Sequence, residues 1–377
     1  MTRHLFITIG VALATLVSHP ALAENTVYGA ADLALLYTNA GGHQVSLMSS
    51  GDSGTFVGFK GEKQVTDWLA AGFVLEAGFN ADTGAGTATN VSNTDDGGRP
   101  ACTLAGVDGA SCNVNLGGAQ GIVFQRESRI RLLLGRDTSP VPLYGVGNRH
   151  QLSFGRFFTP ALATQAQFSP FGLFGPTTSL SLGSLRQGAT AVRASNSVSY
   201  SSPSWAGLFV QAMYAFGERG NFENGDLLGA RIGFKDSIVQ SSMALQITKL
   251  PLGDVVVGNT GVSVRLGPVA LMGLGQHTWV RSETAWNATF AQFGSTLSLG
   301  DGLLMASFGW LNVLGSRDDS AQLSLGYRHK ITADCSVYLK GVYVLNHGQA
   351  KEKPAGTPVP LAGEEATAAL AGMNILF

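Results

Sequence analysis

Charge is the first thing this chain lacks. Asp, Glu, Lys and Arg supply only 13% of its 377 residues, about half the quarter usual in soluble domains. The 24 basic and 25 acidic residues nearly cancel, to a formal −1, so no basic surface exists for nucleic acid. Long apolar runs are missing too. After the N-terminus no stretch reaches the roughly 18 to 20 residues of a membrane-spanning helix, although hydrophobic content is an ordinary 45%. Cysteine is scarce, at three residues, which excludes a disulfide-dense scaffold. Cys335 stands alone in an apolar run as an inert thiol, while Cys102 and Cys112 are close enough to cross-link their own loop in an oxidising compartment. Without histidines beside them they make no zinc site.

Catalytic signatures are absent as well. There is no GxSxG elbow and no HExxH, and His277, His329 and His347 have no catalytic motif beside them. The chain is therefore read as a non-enzyme that needs no cofactor and no metal. The pairs Asp95-Asp96 and Asp318-Asp319 have two readings, calcium ligands or solvated loop tips. What the chain does have is glycine, 50 residues, near twice the average share of about 7%. Glycine-rich, charge-poor and helix-poor, it has the profile of a large closed β structure.

Residues 1–23 have the form of a cleaved secretory signal peptide: Arg3 and His4, an apolar stretch from Leu5 to Val17, and Ala21-Leu22-Ala23 as the small-x-small site. From residue 24 onward the pattern has period two. Leu228, Ala230, Ile232 and Phe234 alternate with Gly229, Arg231, Gly233 and Lys235, and Val262, Val264 and Leu266 with Ser263 and Arg265. Such alternation sends one set to each face of a strand. It predicts sixteen strands, beginning near Thr26, Gly54, Trp68, Gly121, Arg149, Arg193, Gly207, Asp226, Ser237, Val255, Val269, Ala285, Leu303, Ser320, Cys335 and Ala366. Tight turns such as Lys235-Asp236-Ser237, Gly267-Pro268 and Asp301-Gly302 alternate with longer loops, notably 81–120, 159–192 and 347–363. Residues 136–148 break that rule as an insertion on the tight-turn side.

Sixteen strands close a barrel too wide for side chains to fill, so its interior is wet. The polar phase then faces inward, and the apolar phase faces outward, where lipid tolerates it and water does not. An even strand number, with short turns at one rim and long loops at the other, describes a 16-stranded antiparallel transmembrane β-barrel of the bacterial outer membrane. Closure also pairs every backbone N–H and C=O within lipid.

The residues carry a resemblance. Val27-Tyr28-Gly29 with Asp32, Gly58-Phe59-Lys60-Gly61-Glu62, Leu75-Glu76-Ala77-Gly78-Phe79, Phe154 to Pro160, Ser195 to Pro203 and the terminal Phe377 resemble, in order and spacing, the trimeric general porins of Gram-negative bacteria of the Neisseria and Burkholderia-Bordetella type. The resemblance covers nearly all of 24–377. It implies one barrel in the outer membrane that is a water-filled passive diffusion channel for small hydrophilic solutes and ions. It also implies a homotrimer in contact with lipid and lipopolysaccharide, with Phe377 presented to the barrel-assembly machinery. Residues 159–192 would be the constriction loop folded into the lumen. Residues 81–120 would be a latch over a neighbouring subunit, pinned by Cys102–Cys112.

By the same resemblance Arg129 and Arg193 face the lumen. Lys60 and Arg131 share their inward phase and complete a basic wall, with Asp32 and Glu76 as lumen carboxylates. Phe56 departs from the family, which usually has arginine there. The loop departs further: 157–192 holds no Asp or Glu, and its tip, Ser169-Pro170-Phe171-Gly172-Leu173-Phe174-Gly175, is apolar, with Arg186 later. The expected eyelet is basic on the wall, apolar on the loop and weakly anion-preferring. Arg156, at the loop's edge, is read chiefly as a partner to loop carbonyls. The phenylalanines at 157, 158, 168, 171 and 174 are read as packing the loop to the wall. The rival reading is a substrate-specific channel for an anionic or partly apolar solute.

Overall fold

The computed structural model describes residues 24–87, 124–136, 147–182, 192–217, 225–250, 253–282 and 286–377. The signal-peptide residues, Cys102, Cys112, the Asp95-Asp96 pair and Arg186 lie outside the described residues, as does most of 81–120.

Seventeen strands form one antiparallel sheet that closes on itself. In chain order they are β1 (Glu24–Asn39), β2 (His43–Ser49), β3 (Phe56–Thr66), β4 (Leu69–Gly78), β5 (Glu127–Leu134), β6 (His150–Phe158), β7 (Arg193–Ser201), β8 (Leu208–Ala215), β9 (Leu227–Lys235), β10 (Val239–Leu250), β11 (Gly253–Leu266), β12 (Val269–Ser282), β13 (Trp286–Leu299), β14 (Gly302–Val313), β15 (Ser320–Lys330), β16 (Cys335–Asn346) and β17 (Ala366–Leu376). The barrel nevertheless has sixteen positions. The distal half of β1 pairs with β2 (Leu33↔Ser49 to Asn39↔His43) and its proximal half with β3 (Glu24↔Glu62 to Ala30↔Phe56). β2 and β3 are thus two halves of one barrel strand, parted at 50–55. On its other side β1 pairs with β17, from Ala30↔Leu376 to Asn39↔Thr367. Gly29 and Phe377 then exchange backbone bonds of 2.8 and 3.1 Å to seal the seam.

The strand starts expected from alternation fall close to those observed, with two differences. β5 begins at Glu127, six residues after Gly121, because alternation alone does not mark where ladder pairing starts. β2 had no expected counterpart. The chain turns back at Ala40–Gly42, with Gly41 at φ 74°, so the first loop is tight where a longer connection was expected.

The break at 50–55 is held by Asp32. Its carboxylate accepts the N–H groups of Gly51 (3.0 Å), Asp52 (2.8 Å) and Ser53 (2.6 Å), and the Tyr338 hydroxyl. Thr55 Oγ1 bonds both the N–H and the carbonyl of Asp32, each at 3.1 Å, which fills the missing rungs. Turn chemistry at the opposite rim is simpler. In the turn before β10, Asp236 accepts from Ile238 and Val239 N–H (2.7 and 2.6 Å), and these donors hold its carboxyl below the usual range.

The two faces separate as the alternation requires. On β9, Leu228 and Ile232 are exposed while Gly229 and Arg231 are buried. Leu245, Met243, Leu271, Phe293, Phe308, Leu323, Leu325 and Leu339 continue an outward apolar band. Trp68 and Trp205 are exposed near the short-turn rim and Trp279 near the other, the placement of interfacial aromatics. Leu325, 58% exposed at mid-strand in β15, tests the outward assignment. Leu325→Arg should destabilise the barrel by about 2–4 kcal/mol in lipid, read by reversible denaturant unfolding in vesicles.

Candidate functional site

The described part of the connection between β6 and β7, residues 159–182, lies inside the barrel, and the sequence explains how it stays there. It opens with α1 (Pro160–Gln167). Thr159 caps the helix by accepting the Leu162 N–H (3.4 Å), and Pro160 occupies the first turn, where no donor is needed. Ala161, Ala163 and Ala166 keep the helix slim, and Ala161 packs on the inward Val255, Val257 and Val280. A 3₁₀ turn follows at Ser179–Leu182.

Several bulky groups of this loop rest over wall glycines. Pro160 sits over Gly229, Phe168 over Gly261, Pro170 over Gly294, Phe171 over Gly326, and Ser179 with Leu182 over Gly309. A Cβ at Gly326 would lie 2.8 Å from the Phe171 ring, and one at Gly261 would collide with Phe168. At the far end Gly175 (φ 78°) meets the Gly51 carbonyl, leaving no room for a side chain. Close approach of backbone and ring is the reason for these glycines.

Between the glycine seats runs a belt of inward amides and hydroxyls. Asn259 donates to the Ala161 carbonyl (2.9 Å), Gln292 to that of Phe168 (3.1 Å) and Gln322 to that of Thr177 (3.2 Å). Thr164 meets Ser242 at 3.1 Å, Gln167 donates to Gln240 at 3.0 Å, and Gln165 bonds Gln276. Arg231 donates to Gln167 and to Gln211 (2.9 Å) beneath the helix end. Arg231 apart, these groups are uncharged and satisfy loop carbonyls and loop side chains.

The opposite wall, β3 to β6, is charged. Lys60 stands over the Tyr28 ring, 4.8 Å from its centre. Arg129 pairs with Glu127 at 2.5 Å and stacks on Phe157; Arg131 reaches Glu62 at 3.8 Å. Arg149 reaches the same Glu62 at 2.7 Å, and Arg126 reaches Glu76 at 3.4 Å. Glu76 also accepts the Tyr28 hydroxyl at 2.9 Å. Among the described residues, Lys60, Arg126, Arg129, Arg131 and Arg149 thus face Glu62, Glu76 and Glu127 along one side of the lumen.

The structure brings most of the expected site residues together. Lys60, Arg129, Arg131 and Glu76 lie on this wall, and Arg193 stacks on Phe158 (4.4 Å) at the loop's return. Arg156 donates to the Gln125 carbonyl and the Ser195 hydroxyl, both at 2.8 Å, at the base of the loop. Pro170 and Phe171 rest on the wall and Phe174 meets Arg126, while the buried Ser169 accepts the Gly172 N–H through its carbonyl within the loop. Asp32 does not face the lumen: it is fully buried and bonded to backbone N–H groups. Sequence reasoning passed over Glu62, Glu127 and Arg149, which share the inward phase of Lys60, Arg129 and Gln151 and were legible by that signal. It also passed over Arg126 and Asp52, which lie outside regular strands where phase has no meaning. Asp52 is held by Lys340 (2.6 Å) and Arg328 (3.1 Å).

A family model described as Gram-negative porin matches residues 10–349. Outer membrane porin protein 32 of Delftia acidovorans is 24% identical, over 97% of this chain and 99% of that protein. An anion-selective porin from Comamonas acidovorans superposes with a TM-score of 0.76 at 21% identity, covering 94% of this chain and all of the other. The trimer form of OmpT from Vibrio cholerae gives 0.64 at 13% identity, covering 94% and 99%. The glycine seats make a test available. Gly261→Leu should push Phe168 and the loop off the wall and change single-channel conductance by about twofold, while leaving the heat-modifiable gel mobility of the folded barrel intact.

Proposed function

This chain belongs to the Gram-negative porin family, and from that premise we propose that it is a weakly anion-preferring, general diffusion porin. As a family member it forms a water-filled channel in the outer membrane, and porins are channels rather than enzymes. Selectivity is set where the lumen is narrowest. There the charged wall carries more cations than carboxylates, and the loop facing it offers amides, hydroxyls and apolar rings but no acid from 157 to 192. A low-dielectric wall around that excess raises the local concentration of anions. This imbalance is the observation that carries the reading. The anion-selective porin that the fold resembles supports it.

The finer assignments rest on the same reading. Residues 159–192 act as the constriction loop. Residues 1–23 act as a signal peptide removed on export, and 81–120, with the Cys102–Cys112 pair, as a latch between subunits of a homotrimer. The trimer form of a structural relative supports that last assignment. Lipid and lipopolysaccharide would cover the outward apolar band, and Phe377 would present the last strand to the assembly machinery.

Two measurements test this. In a planar bilayer under a salt gradient the reversal potential should show anion preference. Arg129→Gln with Arg131→Gln should reduce the permeability ratio about two- to fivefold, and a clear cation preference of the unaltered channel would overturn the reading. In liposome swelling, uptake of neutral sugars should fall smoothly with size; a sharp preference for one solute would favour a substrate-specific channel.

A further inference from the structure

The tip of the inward loop is fastened by a device that lies outside the strand pattern. Arg126 stands just before β5. Its guanidinium lies between two rings, 4.5 Å from the centre of Phe56 on the barrel wall and 5.5 Å from that of Phe174 at the loop tip. Its Nε faces Glu76 Oε2 at 3.4 Å, and its backbone N–H donates to the Glu76 carbonyl at 3.1 Å. The slot is built to fit. A Cβ at Gly78 would lie 2.9 Å from Arg126 Cδ, and one at Gly54 would crowd both the guanidinium and the Phe174 ring at 2.9 Å. Only 13% of the side chain is exposed, so the stack is largely dry.

Among the described residues, the rest of the tip makes lighter contacts: Gly175 packs on the Gly51 carbonyl, and the Lys340 ammonium lies 5.8 Å from the centre of the Phe171 ring. Phe171 rests on Gly326, and Thr178 Oγ1 braces the Gly172 carbonyl at 2.8 Å within the loop. We propose that Arg126 is a positioning residue: by clamping Phe174 against Phe56 it ties the tip of the loop to the charged wall and fixes the width of the eyelet. A planar guanidinium suits this because it presents a stacking face to each ring while its edge meets a carboxylate. A lysine keeps the charge and loses the double stack. The inference rests on the channel reading above.

Single-channel recording of the purified full-length protein in planar bilayers tests it, using Arg126→Lys, Arg126→Met, Phe174→Ala and the double variant Arg126→Lys/Phe174→Ala. Brief closures and open-channel noise should rise about tenfold in each single variant. The double variant should be no noisier than either single one, because both remove one shared contact. The reversal potential should separate the roles: Arg126→Lys stays near the parent value, and Arg126→Met moves toward neutrality. Quiet Arg126→Lys and Phe174→Ala channels, or a double effect equal to the product of the single ones, would overturn the clamp. Should the Arg126 variants fail to reach the folded, heat-modifiable form, Phe174→Ala decides alone, and a quiet Phe174→Ala channel overturns it. A parent protein that forms no channels would instead sink the channel reading.

Discussion

Lipid has no hydrogen bonds to offer, and that constraint shapes everything else in this molecule. A backbone that crosses the membrane in strands must pair every N–H and C=O within itself, so the sheet closes and β17 meets β1. At sixteen positions the closed wall is too wide for its inward side chains to meet. The interior fills with water, and the polar phase turns inward. A hole of that width would pass almost any small solute, and in the proposed channel residues 159–182, which lie within it, serve to narrow it.

Narrowing a wet barrel with a loop sets its own problem. The loop's carbonyls and N–H groups must be satisfied against a wall, yet its charge governs what passes. The chain separates the two tasks by side chain type. From β9 to β15 the wall presents glycines, which let rings and prolines lie close, and amides, which with the exception of Arg231 bond the loop without net charge. From β3 to β6 the wall presents arginines and a lysine, only partly matched by glutamates. Removing carboxylates from the loop leaves that excess uncompensated. Asp32, which could have offset it, is instead bonded to the backbone of the broken second strand.

Much of this was legible in the sequence because period-two alternation is a strong signal when repeated around a barrel. Leu228 and Ile232 against Gly229 and Arg231 already stated which face was wet. Arg129 followed from the family resemblance, and Lys60 and Arg131 from sharing its inward phase, as Glu62, Glu127 and Arg149 would have. Alternation fails where the backbone leaves the pleat. It could not place Arg126 or Asp52, nor reveal that 50–55 breaks a barrel strand and consumes Asp32. The glycine seats were visible only as an excess of glycine. Which ring rests on which glycine depends on how the loop winds across many strands, and no local pattern encodes that.

The central claim is that the uncompensated charge lies on one side of the lumen, while most of the hydrogen bonds that hold the loop come from uncharged groups on the other. Anomalous diffraction from crystals soaked in bromide tests it most directly. The account predicts bromide peaks beside Lys60, Arg129, Arg131 and Arg149, and none along the Asn259, Gln276, Gln292 and Gln322 belt. Bromide spread evenly around the lumen, or rubidium rather than bromide gathered beside the arginines, would contradict it.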